Sequence, residues 1–237
     1  MLRHEQSRLH DPGSIAPLGA GIKSFPILQV FPKSTQRIMI GNKATLRSML
    51  RARRRGLSAE AQQRAAIDLM HRLCDLEVVQ KSKRIAMYLT NDGEIDPVEF
   101  MNWAWENDKL CYLPVVIQTN LNSLLFAPVT RETRFVDNCF QIPEPVVDED
   151  ELIQARELDL VLLPLVGFDS AGNRIGMGGG FYDTTFEFIR EGQSRIEMIG
   201  LAHELQKVDV IEAESWDIPL ATIVTDQSVH IVEDMKR

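Results

Sequence analysis

The strongest constraint on this chain is a change of character near Ser170. The segment LDLVLLPLVGFD, Leu158 to Asp169, is almost wholly apolar, and GNRIGMGGGFYD, Gly172 to Asp183, follows with five glycines among twelve residues. A short apolar run bounded by turn residues reads as a strand buried on both faces. Glycine loses more conformational freedom on folding than any other residue, so several together mark a sharp bend or a close approach of the main chain. FYDTTFEFIREG then reads as a helix stopped by Gly192. Strand, glycine loop and helix together can turn successive N–H groups, and a helix amino terminus, toward one anion.

The surrounding pattern sets that strand in a sheet. KATLRSMLRARRRG places Leu46, Met49 and Leu50 on one helical face, with Lys43, Arg47, Arg51 and Arg54 elsewhere. Gly56 ends this helix, and Ser58 caps a second one that runs to about Leu76 with Ile67, Leu69, Met70 and Leu73 as its apolar positions. RIAMYLT reads as a strand, NDGEIDP as a turn and PVEFMNWAWEN as a helix. LCYLPVV, SLLFAPV, IEMIGLAH and LATIVT read as further strands, and VHIVED as an edge strand. Residues 131–150, with Pro143 and Pro145, are expected to be irregular. Alternating strands and helices imply an α/β fold, a single-domain open, mainly parallel sheet flanked by helices in Rossmann-like fashion, over residues 39–237. Ligands of such sheets sit beyond the carboxyl ends of the strands, where the glycine loop falls.

Residues 1–38 carry scattered Pro and Gly, no sustained periodicity and no signal-peptide core, and are expected to form a poorly ordered extension. Met39 stands just before the first helix and is expected to open the functional part. A net charge of −8 and a pI near 5.2 argue against general nucleic-acid or anionic-membrane binding. No segment reaches the roughly 20 apolar residues that span a bilayer. Cys74, Cys111 and Cys139 lie far apart and form no CxxC pair, which suits a reducing cytoplasm and gives no zinc signature.

Within the loop, Gly176, Gly178, Gly179 and Gly180 could present backbone N–H groups to a phosphate. Arg174 adds a permanent charge with two-pronged geometry, and Asp183 sits where a carboxylate could hold Mg²⁺ beside phosphates. The loop is not GxGxxG, because Phe181 stands where the last glycine is needed, and no Lys-Ser/Thr follows as a P-loop requires. Spacing alone therefore leaves open a purely structural turn with Asp183 as a helix-start charge.

The longer segment PLVGFDSAGNRIGMGGGFYD closely resembles the hallmark of the 5-formyltetrahydrofolate cyclo-ligase (5,10-methenyltetrahydrofolate synthetase) family. KATLRSMLRARRRGLS resembles its amino-terminal basic helix, YLTNDGEID its strand-and-glutamate segment and WDIPLATIVT its carboxy-terminal Asp-x-Pro segment. The four agree in order and span residues 39–226. The resemblance implies an enzyme of one-carbon metabolism that binds ATP·Mg²⁺ and 5-formyltetrahydrofolate. It transfers the γ-phosphate to the formyl oxygen, lets N10 close the ring, and yields 5,10-methenyltetrahydrofolate, ADP and phosphate. Charge, hydropathy and cysteine usage lead us to expect a cytoplasmic protein without nucleic-acid or membrane partners, and a monomer with an oligomer left open.

Residue by residue, the resemblance assigns ATP binding to Lys43, Arg47, Arg174, Ile175, Gly176, Met177, Gly178, Gly179, Gly180, Phe181 and Tyr182. Leu89, Glu94 and Met177 to Phe181 would line the folate, Asp183 and Asp217 would hold Mg²⁺, and Arg174 and Tyr182 would serve catalysis. The residue types alone also fit plainer readings: a solvated basic face for Lys43 and Arg47, a surface acid for Glu94, core for Leu89, and a turn carboxylate for Asp217. Arg51, Arg53, Arg54 and Arg55 are read as solvated. Some relatives carry basic residues at the positions of Met177 and Gly179, a second tyrosine at Phe181 and an acid at Ala221, so phosphate binding here shifts toward backbone amides, Arg174 and the first helix. A folate- or nucleotide-binding module without turnover would bind 5-formyltetrahydrofolate but release no ADP. A sugar-phosphate isomerase on the same scaffold would need neither ATP nor folate.

Overall fold

The basic amphipathic segment forms α1, Lys43–Arg55. Ser58 caps α2, Ala59–Cys74, by accepting a hydrogen bond from the Ala61 N–H, one of the donors that a first helical turn leaves without an internal partner. A short α3 (Glu77–Lys81) leads into β1 (Arg84–Ala86), α4 (Val98–Glu106), β2 (Leu110–Val116) and β3 (Leu124–Val129). The small strands β4 (Phe135–Asp137) and β5 (Pro143–Pro145) precede β6 (Leu160–Pro164), β7 (Gly167–Phe168) and β8 (Arg174–Ile175). The chain ends with α5 (Phe181–Thr185), α6 (Glu187–Arg190), β9 (Glu197–Ala202), β10 (Thr222–Thr225) and β11 (Val229–Ile231). This computed structural model describes residues 43–116, 123–137, 143–190, 196–214 and 217–232. The extension expected over 1–38, together with Met39, Cys139 and Gly192, lies outside them.

Seven strands form one sheet in the order β11-β10-β9-β6-β1-β2-β3. The five central strands β10, β9, β6, β1 and β2 run parallel; β11 and β3 close the two edges antiparallel. The apolar run sits at the middle as β6, and its alternate residues supply both faces. Leu160 and Leu162 join Leu69 and Leu73 of α2 and Phe100 of α4 on one side. Val161 and Leu163 join Phe126, Phe186 and Ile223 on the other. A strand covered on both faces needs no polar alternation, which is why this one reads as continuous hydrophobicity. Among the described residues no helix is long and apolar enough to cross a membrane.

Three expectations change. The helix from Phe181 breaks after Thr185, because Phe186 turns out of helical geometry to bury its ring against Phe126 and Tyr182. Residues 131–150 are not wholly irregular, since β4 and β5 pair antiparallel. Arg54 is not solvated: its side chain is wholly buried. It lies four residues beyond Leu50 and eight beyond Leu46, so it shares the buried face of α1.

Candidate active site

The chain beyond β6 does not go straight into the glycine loop. It folds back as the β7–β8 hairpin, whose turn is built by Asp169. Asp169 Oδ1 accepts from the Ala171 and Asn173 N–H groups, and its Oδ2 accepts from the Asn173 side chain and from the Ile211 N–H. Gly172 completes the turn at φ +81°, and its carbonyl accepts a 3.0 Å bond from Leu220 N–H. That bond ties the segment carrying Asp217 to the hairpin. A Cβ on Gly172 would lie 2.3 Å from the Leu220 carbonyl oxygen, so no other residue fits there without displacement.

Helix α1 lies over the hairpin. Leu46 and Leu50 pack with Val166, Ile175 and Ile211. Ile175 therefore faces inward and anchors the loop. This packing places Arg47 where its Nε donates to the Gly176 carbonyl at 2.8 Å. Gly178, at φ +99°, passes the Arg47 guanidinium with room for only an ordinary van der Waals contact. Lys43, one turn earlier, reaches Asp217 at 3.2 Å and Glu214 at 3.7 Å.

Arg174 occupies the centre. Its side chain is 7% exposed, and Nη2 meets Asp183 Oδ1 at 2.5 Å. Burial pulls its pKa below the ordinary arginine value, while Asp183 and Asp217 both act to raise it, so the guanidinium lies in the field of both carboxylates. Its Nη1 is buried without a hydrogen-bond partner among the described residues. A buried cationic donor left open is costly unless a ligand meets it. Phe181 and Tyr182 pack partly buried on the second core face, with Tyr182 stacked on Phe186 at 6.3 Å. Burial, followed by the Glu94 charge, pushes the Tyr182 phenol well above its usual pKa, so it stays protonated and can donate a hydrogen bond throughout the neutral range.

The segment after β1 supplies the other wall. Leu89 is half-buried against the first core face. Asp92 and Gly93 both adopt positive φ, +57° and +73°, and turn the chain so that Glu94 points inward with its side chain 10% exposed. Glu94 Oε2 accepts from Asn91 N–H at 3.1 Å, and Oε1 lies 3.4 Å from Arg54 Nη2. Desolvation raises the Glu94 pKa, and the nearby Arg54 charge opposes it. Arg54 also approaches Met177 of the glycine loop at 4.0 Å, and Met177 is itself half exposed.

The structure thus gathers Lys43, Arg47, Arg174, the loop Gly176–Gly180, Asp183 and Asp217 into one cluster, and Arg54 links Met177 to Glu94. The helix dipole expected at Phe181 is replaced by a five-residue turn of helix, too short to contribute much. Sequence reasoning passed over Arg54, Asp92 as its partner, Asp169 as turn builder, and Gln206. The buried amide of Gln206 donates to the Leu165 and Val166 carbonyls and holds the exit of β6. The positions 46, 50 and 54 on one helical face were the available signal for Arg54; Gln206 had none.

No group of three or more His, Cys, Asp or Glu among the described residues forms a metal cage. Two carboxylates flanking an arginine with an open donor nevertheless fit a metal that arrives on a phosphate chain, because Mg²⁺ keeps few protein ligands and takes the rest from phosphates and water.

Comparison with known proteins agrees with this geometry. The model of the 5-formyltetrahydrofolate cyclo-ligase family matches residues 39–226. The Escherichia coli K12 5-formyltetrahydrofolate cyclo-ligase is 35% identical over 181 residues, covering 76% of this chain and 98% of the relative. The Haemophilus influenzae protein of the same name is 36% identical over 179 residues, 76% of this chain and 95% of that one. The NMR structure of Aquifex aeolicus 5,10-methenyltetrahydrofolate synthetase superposes with a TM-score of 0.69 at 27% identity, covering 82% of this chain and 95% of that one. With the family model spanning most of the chain and the glycine loop, basic helix and acidic anchors in one cluster, the chain belongs to the 5-formyltetrahydrofolate cyclo-ligase family.

Proposed function

We propose that the chain converts 5-formyltetrahydrofolate to 5,10-methenyltetrahydrofolate with ATP, releasing ADP and phosphate, at the glycine loop. The observation that carries this reading is Arg174: a buried guanidinium paired with Asp183 and in the field of Asp217, with one nitrogen open, beside a loop of small residues. Lys43, Arg47, Arg174 and the main-chain N–H groups of the loop hold the phosphates. Asp183 and Asp217 would hold Mg²⁺, which when bound would supply positive charge to neutralise the phosphates during transfer. Leu89, Glu94 and the stretch Met177–Phe181 line the folate, with the Glu94 carboxylate accepting from the pterin's N–H edge.

An N-formyl amide is a poor electrophile. Moving the γ-phosphoryl group to the formyl oxygen leaves a carbon that N10 can attack and makes phosphate the leaving group. Such a transfer needs alignment and charge neutralisation more than acid–base chemistry. Arg174 would neutralise the migrating phosphoryl group through its open Nη1. Tyr182, protonated and half-buried, can donate to an oxygen of that group. The reading extends to a cytoplasmic monomer.

The test is spectroscopic. Purified protein should generate methenyl absorbance from 5-formyltetrahydrofolate only when ATP and Mg²⁺ are both present. Folate binding without ADP release would instead show a binding module on this scaffold.

A further inference from the structure

We infer that Arg54 is a positioning residue for the folate subsite: its buried guanidinium fixes the Glu94 carboxylate and aims it at the bound pterin. The inference rests on the functional reading above, which gives Glu94 its ligand. Arg54 has no exposed surface and makes four polar contacts from α1. Nε donates to the Asp92 carbonyl at 2.8 Å, Nη1 to the Leu165 carbonyl at 3.2 Å, and Nη2 to Asp92 Oδ2 at 2.9 Å and Glu94 Oε1 at 3.4 Å. One side chain therefore fixes the end of β6, the turn after β1 and the carboxylate that closes that turn.

The charge balance around the turn explains why an arginine is needed here. Asp92 already has two other guanidinium partners, Arg51 at 2.6 Å and Arg55. Three cations thus face two carboxylates, and the surplus falls on Glu94. The groups that face Glu94 are Arg54, in contact, and Arg51, farther off, from α1, Asp92 on its own turn, Tyr88 just after β1, and Tyr182 from α5. His203, buried after β9, lies against the Gly93 and Glu94 main chain. Burial and the Asp92 charge both favour protonation of Glu94, and Arg54 is the cation that opposes them. An ionised carboxylate offers about four acceptor sites, and among the described residues only the Asn91 N–H and Arg54 occupy them, so lone pairs remain for ligand N–H groups. Protonated, the same group would turn a donor toward a donor edge. Packing alone would be served by an apolar residue; a fully buried guanidinium that reaches Glu94 serves its charge and direction.

Direct binding of 5-formyltetrahydrofolate and of ATP, measured separately by calorimetry across a range of pH, tests this on the folded parent, Arg54→Met and Arg54→Lys. In Arg54→Met, folate affinity at neutral pH should fall by about tenfold, the size of a lost hydrogen bond to a charged group. ATP affinity should fall much less. The pH below which folate binding is lost should move upward, because Glu94 now protonates more easily. Arg54→Lys should weaken folate binding while leaving that pH near the parent's. Equal losses of folate and ATP affinity with an unmoved pH limb, or unchanged folate affinity, overturn the inference. If Arg54→Met does not fold, Arg54→Lys in a Glu94→Gln background decides: no further loss of folate affinity supports coupling through Glu94, and an additive loss overturns it. A parent protein that binds no 5-formyltetrahydrofolate overturns the functional reading, and this inference with it.

Discussion

Lys43 Nζ lies 3.2 Å from Asp217 Oδ2, joining groups 174 residues apart in the sequence. Arg174 and Asp183 make the corresponding pair at 2.5 Å. Two of the three cations assigned to phosphate, Lys43 and Arg174, are thus each held by a carboxylate assigned to metal, while the third, Arg47, donates to the Gly176 carbonyl. ATP without metal must push its phosphates against two carboxylates; Mg²⁺ without ATP must approach two cations. On the proposed reading the two would arrive together, the phosphates taking Lys43 and Arg174 and the metal taking Asp217 and Asp183.

That exchange predicts coupled binding. ATP affinity measured by calorimetry should rise when Mg²⁺ is added, and the gain should shrink in Asp217→Asn. Metal-free ATP should bind Asp217→Asn about two- to fivefold more tightly than the parent, since Lys43 is released from a partly exposed pair worth about 0.5–1 kcal/mol. Tighter metal dependence in the variant would contradict the exchange.

The proposed mechanism gives Arg174 its transition-state part. Replacing it with Met should lower turnover by about a hundredfold or more, the usual loss when one donor to a developing charge is removed. Far-ultraviolet circular dichroism should remain that of the parent, because its main partner Asp183 is about a third exposed and can be hydrated. Methenyl absorbance followed at saturating ATP and folate separates this loss from weaker binding.

The parallel core and the loop were legible in the sequence because both rest on strong local signals. A strand covered on both faces must be apolar throughout, and a loop crowded with glycine has few other uses. The cationic helix was legible as a helix but not in its charges: the run Arg53-Arg54-Arg55 looks uniformly solvated, yet helical geometry turns only the middle arginine under the surface. Its partners Asp92 and Glu94 sit about forty residues away, so the reason for burying it is a long-range contact that no local pattern reports. The break after Thr185 escaped for a similar reason. FYDTTFEFIR is an acceptable helix by propensity, and the demand of Phe186 for a place beside Phe126 overrides it.

Asp92 should govern the acid limit of stability. Burial would raise its pKa, but hydrogen bonds from Arg51, Arg54 and Arg55 hold it down at about 2, from 3.8 in the unfolded chain. A depressed folded-state value means stability that is fully present above the unfolded pKa and lost as pH falls from about 4 to about 2. The size of the shift corresponds to about 2 kcal/mol. Asp92→Asn should therefore lower the urea-unfolding free energy at pH 7 by about that amount and flatten the acid limb of the parent's stability curve. A variant as stable as the parent at pH 7, with the same acid limb, would show that the three arginines do not depend on this carboxylate.

Gly172 joins the hairpin to the segment of Asp217, and this makes its substitution informative about both stability and metal. Ala at φ +81° is strained by about 1–2 kcal/mol, and its Cβ would press within 2.3 Å of the Leu220 carbonyl oxygen. The clash is with main chain, so relief requires moving the 217–220 segment and loosening the Leu220 N–H to Gly172 bond. Gly172→Ala should lose about 2–3 kcal/mol of stability in chemical denaturation. It should also need more Mg²⁺ for half-maximal turnover, because Asp217 shifts while Asp183, on a different segment, keeps its place. A variant equally destabilised but with an unchanged Mg²⁺ requirement would mean that Asp217 is held independently of the hairpin, and the metal role would then rest on Asp183 alone.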